Sequence, residues 1–535
     1  MSSTFTNPVL WEDLPDAEVL RVGETYYMSA SSFHFSPGAP VLKSHNLVDW
    51  EYIGHSIPKL PPRDRFSLDG KRPIAYGKGV WASTLKFRES NGQFYFYSAI
   101  QGTDKTYIYT ASSPGGVWTQ HPPIERFYYD LGLLIDDDDS MYIAYGTKTI
   151  EVAKLDEDGM TEVTSKVVHT SEAYLEGARM YKIQGAYYIW LTKDWDTQTV
   201  LKSTAGPFGP YEERDVIKGM RSPLAGCGSP HQGALVDTPD GKWYYMAFSD
   251  AYPAGRVPVL APVVFDSEGW PSVVADHPDA KGQWRLEYPH VVVPGGPDVE
   301  SPAKVSKRYD FVQSSLEPCW EWNHNPDNSK WKLEGGQLIL ATATVTESLH
   351  LATNTLTLRT AGPGSIATFC IDASKAREGD RAGVSIFRDE SAYIGIHKDA
   401  AENAMLVYVD GARVGPINAP VGWLNGRPVA LDWECVSNGS VGAQVPLADH
   451  RVWLRIKVDM RATFVGEYQK AARNAVFEYS YDGKTFEQLG PAYTLTKSMA
   501  GFVGYRFGLF NFATQALGGE IRVSHCDFEI WDPRG

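Results

Sequence analysis

The stretch "LLIDDDDSMYIAYG", residues 133–146, sets four consecutive aspartates, Asp136 to Asp139, between two apolar, strand-like segments. A calcium loop of the EF-hand kind alternates its ligands around a central glycine and ends on a glutamate at position 12. Four adjacent acids followed by Ser140 would instead point their side chains apart. A turn between two period-2 apolar strands accounts for the run, and that pattern is a β-hairpin. The hairpin decides the fold because it recurs.

The other copies read "EVLRVGETYYMSAS", "STLKFRESNGQFYFYSA", "ARMYKIQGAYYIWLT" and "ALVDTPDGKWYYMAFSD". Four of the five share a G-x-x-Y frame, at Gly23/Tyr26, Gly92/Tyr95, Gly185/Tyr188 and Gly241/Tyr244. In the aspartate copy Asp139 takes the glycine position before Tyr142. Further short strands follow each hairpin, as in "APVLKSHNLVDWEYIG", and the repeats lie 46 to 65 residues apart. About four strands per repeat is the blade of a β-propeller, so five blades are expected. A β-sandwich would supply the strands but not five hairpins in one register.

Composition narrows the function. The chain has 535 residues, room for two to four domains, and 43% are hydrophobic, enough for a substantial core. A formal net charge of −15 argues against a nucleic-acid partner, which would need basic surface. Sixteen Trp, 29 Tyr and 22 Phe offer flat faces suited to stacking on sugar rings, although most will be core. Five scattered cysteines show neither a CxxC nor zinc-like spacing, and their odd number leaves at least one unpaired within the chain. No 18-residue apolar run reads as a membrane span, and patterned sequence begins almost at Met1 without a signal-like segment. A secreted protein whose signal has been removed is the expectation, with a cytoplasmic location the alternative. The sequon Asn438-Gly439-Ser440 is compatible with the first.

Four residues before the first apolar position of each hairpin (Leu20, Leu85, Leu134, Met180, Leu235) stand Asp16, Trp81, Asp130, Glu176 and His231. Equivalent positions in a propeller lie at equivalent places around its axis. If this column ends each innermost strand, three carboxylates, an imidazole and an indole face one pocket. Singly, each has a plain structural role: Asp16 and Asp130 can cap turns, and His231 can be a bonded core residue. Together they suit glycoside hydrolysis, in which two carboxylates flank the scissile bond and a third raises the pKa of the acid. Neither a P-loop nor a nucleophile elbow is present.

At these residues the chain resembles glycoside hydrolase family 43. The segments that carry the resemblance are "NPVLWEDLPDAEVL", "YYDLGLLIDDDDSMYIAYG", "LEGARMYKIQGAYYIWL", "GSPHQGALVDTPDGKWYYMAF" and "AYPAGRVPVLAPVVFDSEGWP". The resemblance implies single-displacement inversion with Asp16 as general base, Glu176 as general acid and Asp130 as the group that tunes the acid. It also implies that Arg256, and His231 with it, face the sugar in the deepest subsite. No cofactor is implied for the chemistry, but a structural calcium is, in the central channel and held by His231 through water. Phe33 and Trp81 are the candidates for the apolar wall of the sugar pocket.

Past the propeller, "PGGPDVESPAKVS" reads as a Pro/Gly-rich connection. "RYDFVQSSLEPCWEWNHNPDNSKWKLEGGQLILAT" then resembles the concanavalin-A-like β-sandwich attached to β-xylosidases and some arabinofuranosidases of the family. The expected domains are a propeller at 1–297, a linker at 298–306 and a sandwich at 307–535. The sandwich is expected to shape one rim of the active site.

The acids stand among altered neighbours. Asp130-Leu131-Gly132 replaces the Asp-Pro-Ser of the family's β-xylosidases, Glu176-Gly177-Ala178-Arg179 replaces Glu-Gly-Pro-His, and Trp81-Ala82-Ser83 replaces Trp-Ala-Pro. The expectation is therefore an α-L-arabinofuranosidase that removes side chains from arabinoxylan. A β-xylosidase acting on xylo-oligosaccharides and a non-catalytic glycan-binding propeller are the alternatives. Oligomeric state is left open.

Overall fold

The computed structural model describes residues 4–62, 64–70, 73–275, 282–296, 306–400, 403–417, 422–424, 427–429 and 432–534. Its regular structure is β throughout, apart from three short 3-10 turns among the described residues. Residues 298–305 of the expected linker lie outside the described residues.

The N-terminal half forms five antiparallel sheets that follow one another along the chain. Their innermost strands are Glu18–Val22, Thr84–Arg88, Gly132–Ile135, Leu175–Ile183 and His231–Asp237. Each touches the next, and the fifth touches the first, so the ring closes. This is the five-bladed propeller that the hairpin repeat predicts.

The repeat frame also holds in backbone geometry. Gly23, Gly92, Gly185 and Gly241 all have positive φ, between 62° and 82°, and Asp139 adopts the same left-handed conformation at 68°. Aspartate is among the few residues that tolerate it, because its short side chain bonds locally. Asp136 N–H donates to Ser140 O (2.9 Å) and Asp139 N–H to Asp136 O (2.9 Å), closing the turn.

The aspartates do more than cap a solvated turn, which was all their sequence implied. Asp139 accepts from Arg88 (2.5 Å) and Ser90 of the second blade. Asp136 accepts from Lys182 (2.5 Å) and Tyr187 (2.7 Å) of the fourth. The third blade is therefore pinned on both sides through one turn, while Asp137 and Asp138 face solvent. The first and fifth blades are joined in the same way by Arg21 and Asp237 (2.6 Å). Near the N-terminus, Thr4–Thr6 pairs with Glu287–Pro289. Asn7 bridges onto the fifth blade through both the N–H and the carbonyl of Leu260.

The C-terminal half is a concanavalin-A-like sandwich of two large antiparallel sheets over a core that includes Leu338, Phe369, Val384, Leu454 and Phe507. One sheet runs outward to Trp320–Asn323 and then takes Phe35–Ser36 of the propeller as its last strand, with Trp322 paired to Ser36. The two domains thus share a sheet. A buried ion cluster seals the junction: Glu321 binds Arg506 (2.5 Å) and Arg359 (3.1 Å) of the sandwich and His55 (3.1 Å) of the first blade. All five cysteines are free thiols.

Replacing Asp136 and Asp139 together by asparagine should lower folding stability by about 1–2 kcal/mol while leaving the catalytic constants unchanged. Urea midpoints measure the loss. Arg88 holds the Asp139 carboxyl below its usual range, and at Asp136 the bonds from Lys182 and Tyr187 outweigh the effect of burial. Their contribution is therefore present at neutral pH and is lost as the pH falls through the depressed folded-state values, so the two proteins should converge in acid.

Candidate active site

The residues of the predicted column stand where the chain enters each innermost strand. Asp16 and Asp130 have positive φ, 58° and 50°, and in the fourth and fifth blades the kink falls one residue later, on Gly177 (70°) and Gln232 (40°). A left-handed non-glycine residue costs on the order of 1–2 kcal/mol and persists only where its surroundings hold it. The hydrogen bonds of the site supply that hold.

Asp16 is buried; its Oδ2 accepts from Ser31 Oγ (2.5 Å), and its Oδ1 lies 3.3 Å from Arg256 Nη1. Asp130, also buried, accepts from the Gly177 N–H (3.2 Å) and from Gln232 Nε2 (3.1 Å). Glu176 keeps some exposure and accepts from Tyr129 OH (3.3 Å), which in turn accepts from Tyr174 OH (3.3 Å). The electrostatics separate the three acids. Loss of water, then repulsion from Glu176 and Asp16, drives Asp130 well above the carboxylate range. Desolvation by the surrounding protein, then repulsion from Asp16, pushes Glu176 up to about 7. A carboxyl that is half protonated near neutral pH can donate a proton, while Asp16, ion-paired to Arg256, can accept one.

The apolar wall is assembled from both domains. The Arg256 guanidinium lies over Phe33 (5.4 Å), Phe248 (4.8 Å) and Phe502 (5.8 Å). Trp81 meets Phe33, Tyr129 and Phe502 edge-on, and its indole N–H donates to Gly77 O (2.8 Å). His231 packs against Phe248 with tilted rings 4.3 Å apart, its Nδ1 at 2.8 Å from Ser229 O and its Nε2 at 3.9 Å from Asp250. The structure thus brings the seven predicted residues to one end of the ring. Among the described residues, no group of three or more His, Cys, Asp or Glu side chains is placed to hold a metal ion.

Several contributors were not singled out from sequence. Phe502 arrives from the sandwich, some 400 residues after the wall it completes. Asp13 receives the Arg256 N–H (2.8 Å) on one oxygen and the Gly504 N–H (2.8 Å) on the other, so it ties the fifth blade to the loop that carries Phe502. Its position three residues before Asp16 was the only available hint. Gln232, Tyr129 and Tyr174 lie beside column residues and were visible only as neighbours. Arg179 was noted as a departure from the family pattern but given no role. It is fully buried and donates to the carbonyls of Ser83 (2.6 Å), Leu131 (3.0 Å) and Asp16 (2.8 Å).

Comparison with known proteins decides the family. Residues 5–271 match the model of glycosyl hydrolases family 43, and residues 308–532 match the β-xylosidase C-terminal concanavalin A-like domain. The chain belongs to glycoside hydrolase family 43. It is 44% identical, over 99% of its length and 100% of the other chain, to a solved GH43 glycoside hydrolase, with a TM-score of 0.90. That protein was engineered in its active site to display both endo-xylanase and exo-arabinofuranosidase activity. A β-xylosidase of Formosa agariphila is 28% identical over 99% of this chain and 91% of its own. A non-reducing end α-L-arabinofuranosidase of Bacteroides ovatus is 28% identical over 62% of this chain and 63% of its own. As a family 43 member, the protein is a glycoside hydrolase built on a five-bladed propeller with a concanavalin A-like C-terminal domain.

Three outcomes follow from the geometry. If turnover requires protonated Glu176, kcat/KM should fall as pH rises through about 7. Tyr129→Phe removes a bond that favours the ionised form, so this basic limb should move to higher pH in a pH–rate profile. Phe502→Ala should lower kcat/KM by about 10-fold with the propeller still folded, as steady-state kinetics and circular dichroism would show.

Proposed function

We propose that this family 43 enzyme is an exo-acting, inverting α-L-arabinofuranosidase that removes arabinofuranosyl side chains from arabinoxylan. In this reading Asp16 deprotonates the attacking water, Glu176 protonates the leaving oxygen, and Asp130 sets the proton affinity and orientation of Glu176. The observation that carries the mechanism is the electrostatic division of the carboxyls. Glu176 sits near neutrality with a tyrosine hydroxyl on one oxygen, while Asp16 is fastened to Arg256 and Ser31.

Arg256, packed among Phe33, Phe248 and Phe502, presents charged donors inside an apolar surround. That combination suits a single terminal sugar whose hydroxyls meet the guanidinium and whose carbon face meets the rings. The arabinofuranosyl preference draws on likeness to the solved relative with exo-arabinofuranosidase activity and on the altered neighbours of the acids. The Formosa agariphila relative supports the second reading, a β-xylosidase.

Product analysis separates the readings. Arabinose released from arabinoxylan, with xylobiose left intact, is the expected profile. Xylose from xylobiose without arabinose would replace the first reading by the second. Proton NMR of the first-formed sugar should show the inverted anomer. Glu176→Ala and Asp16→Ala should each cost about 1000-fold or more in kcat with the fold retained. Wild-type turnover in both variants would overturn the assigned roles, whereas no sugar released by the wild type would favour a binding propeller.

A further inference from the structure

The channel below the three acids holds a cation of the protein's own. Arg179 leaves the fourth-blade strand three residues after Glu176, across an irregularity in strand register that re-aims the chain. Its Nη1 donates to Ser83 O (2.6 Å) in the second blade and Leu131 O (3.0 Å) in the third. Its Nη2 donates to Asp16 O (2.8 Å) in the first. The Glu18 carboxylate lies 3.2 Å from Nη1, and Lys86 Nζ meets the other Glu18 oxygen at 2.7 Å. Three carbonyl oxygens and a carboxylate converging from three blades form the kind of oxygen set that a hard cation takes. Here a guanidinium already takes it. Calcium needs six to eight oxygens at about 2.3–2.6 Å, and it would meet a positive charge bonded to the very oxygens available. These residues do not fit a calcium ion in the channel.

We propose that Arg179 serves in place of a channel metal ion, as a positioning residue that holds the backbone of the catalytic acids in register without any divalent cation. The three carbonyls belong to Asp16 itself, to the residue after Asp130, and to the second residue after Trp81. One planar fork therefore sets the relative places of the proposed base, the tuning acid and the pocket indole, while its own strand carries the proposed general acid. Guanidinium is suited to this because its donors lie in one rigid plane and it is charged at every working pH. A displacement of about 1 Å at a catalytic carboxylate can cost on the order of 100-fold in rate. The catalytic part of this inference rests on the proposed hydrolase mechanism; the metal part does not.

The experiment has two arms. In the first, wild-type protein is stripped with EDTA and titrated with calcium chloride, and thermal midpoint and calorimetric binding are read without substrate. An unchanged midpoint and no calcium binding are expected. A midpoint that drops with EDTA and returns with calcium would overturn the proposal, whatever the substrate proves to be. In the second arm, Arg179→Ala is compared with wild type on aryl arabinofuranoside and aryl xyloside. A loss of about 100-fold, chiefly in kcat, is expected. Low concentrations of guanidinium chloride should restore roughly 10-fold of it, which a merely structural loss would not allow. Wild-type kcat in Arg179→Ala, or a loss that guanidinium leaves untouched in a folded variant, would overturn the positioning role. If Arg179→Ala does not fold, the wild-type metal arm still decides. Wild-type inactivity on both glycosides would count against the proposed function alone.

Discussion

A ring of sheets must be held at its axis, where the innermost strands approach one another and backbone groups face inward without strand partners. In this protein one guanidinium gathers the carbonyls of three blades from a fourth. Burying a charge is costly unless it is paired and fully bonded. Arg179 is paired with Glu18 and bonded through both terminal nitrogens to the carbonyls, and Glu18 is in turn met by Lys86, while Arg179 Nε is buried without a hydrogen-bond partner. The same small space is crowded enough that a Cβ on Gly132 would stand 2.0 Å from Ala178 O. The third blade can approach the fourth only because that residue is glycine. The acids stand at the strand entries just beside this point, so their geometry is inherited from the axis.

Around the rim, the ring is pinned by charged pairs that reach from blade to blade rather than within a blade. The turn at Asp136–Asp139 binds both neighbours, and Arg21–Asp237 joins the ends of the circle. A run that invited a metal reading is explained by the geometry of a closed ring, whose hairpin turns face partners on either side. Such pairs are individually modest where exposed. Their value here lies in fixing register at positions where the apolar faces of adjacent blades could slide.

The sandwich is part of the site rather than an appended module. It takes Phe35–Ser36 into one of its sheets, two residues after the pocket residue Phe33, and delivers Phe502 to the far side of Arg256. Asp13 couples the two deliveries, since it holds the backbone of both Arg256 and Gly504. The position of the arginine that grips Asp16 therefore depends on the docking of the second domain. The shared sheet and the Glu321 cluster keep that docking rigid.

The hairpin repeat, its spacing and the column of functional residues were legible in the chain because they are local and periodic. Asp139 standing for glycine, the five-fold count and the convergence of Asp16, Asp130 and Glu176 all follow from a register counted along the sequence. Contacts between residues distant in sequence leave no such period. Phe502 against Trp81, Asp13 against Gly504, and Arg179 against three carbonyls involve single residues of ordinary type, and the three accepting carbonyls are backbone groups of Asp16, Ser83 and Leu131 that no side-chain pattern marks. The proton affinities of the acids belong with these contacts, since burial and mutual repulsion arise only when the ring closes. The sequence by itself determined which groups line the end of the propeller. Only the tertiary structure decided how far apart their charges and pKa values are held, because that depends on the axis and on the second domain.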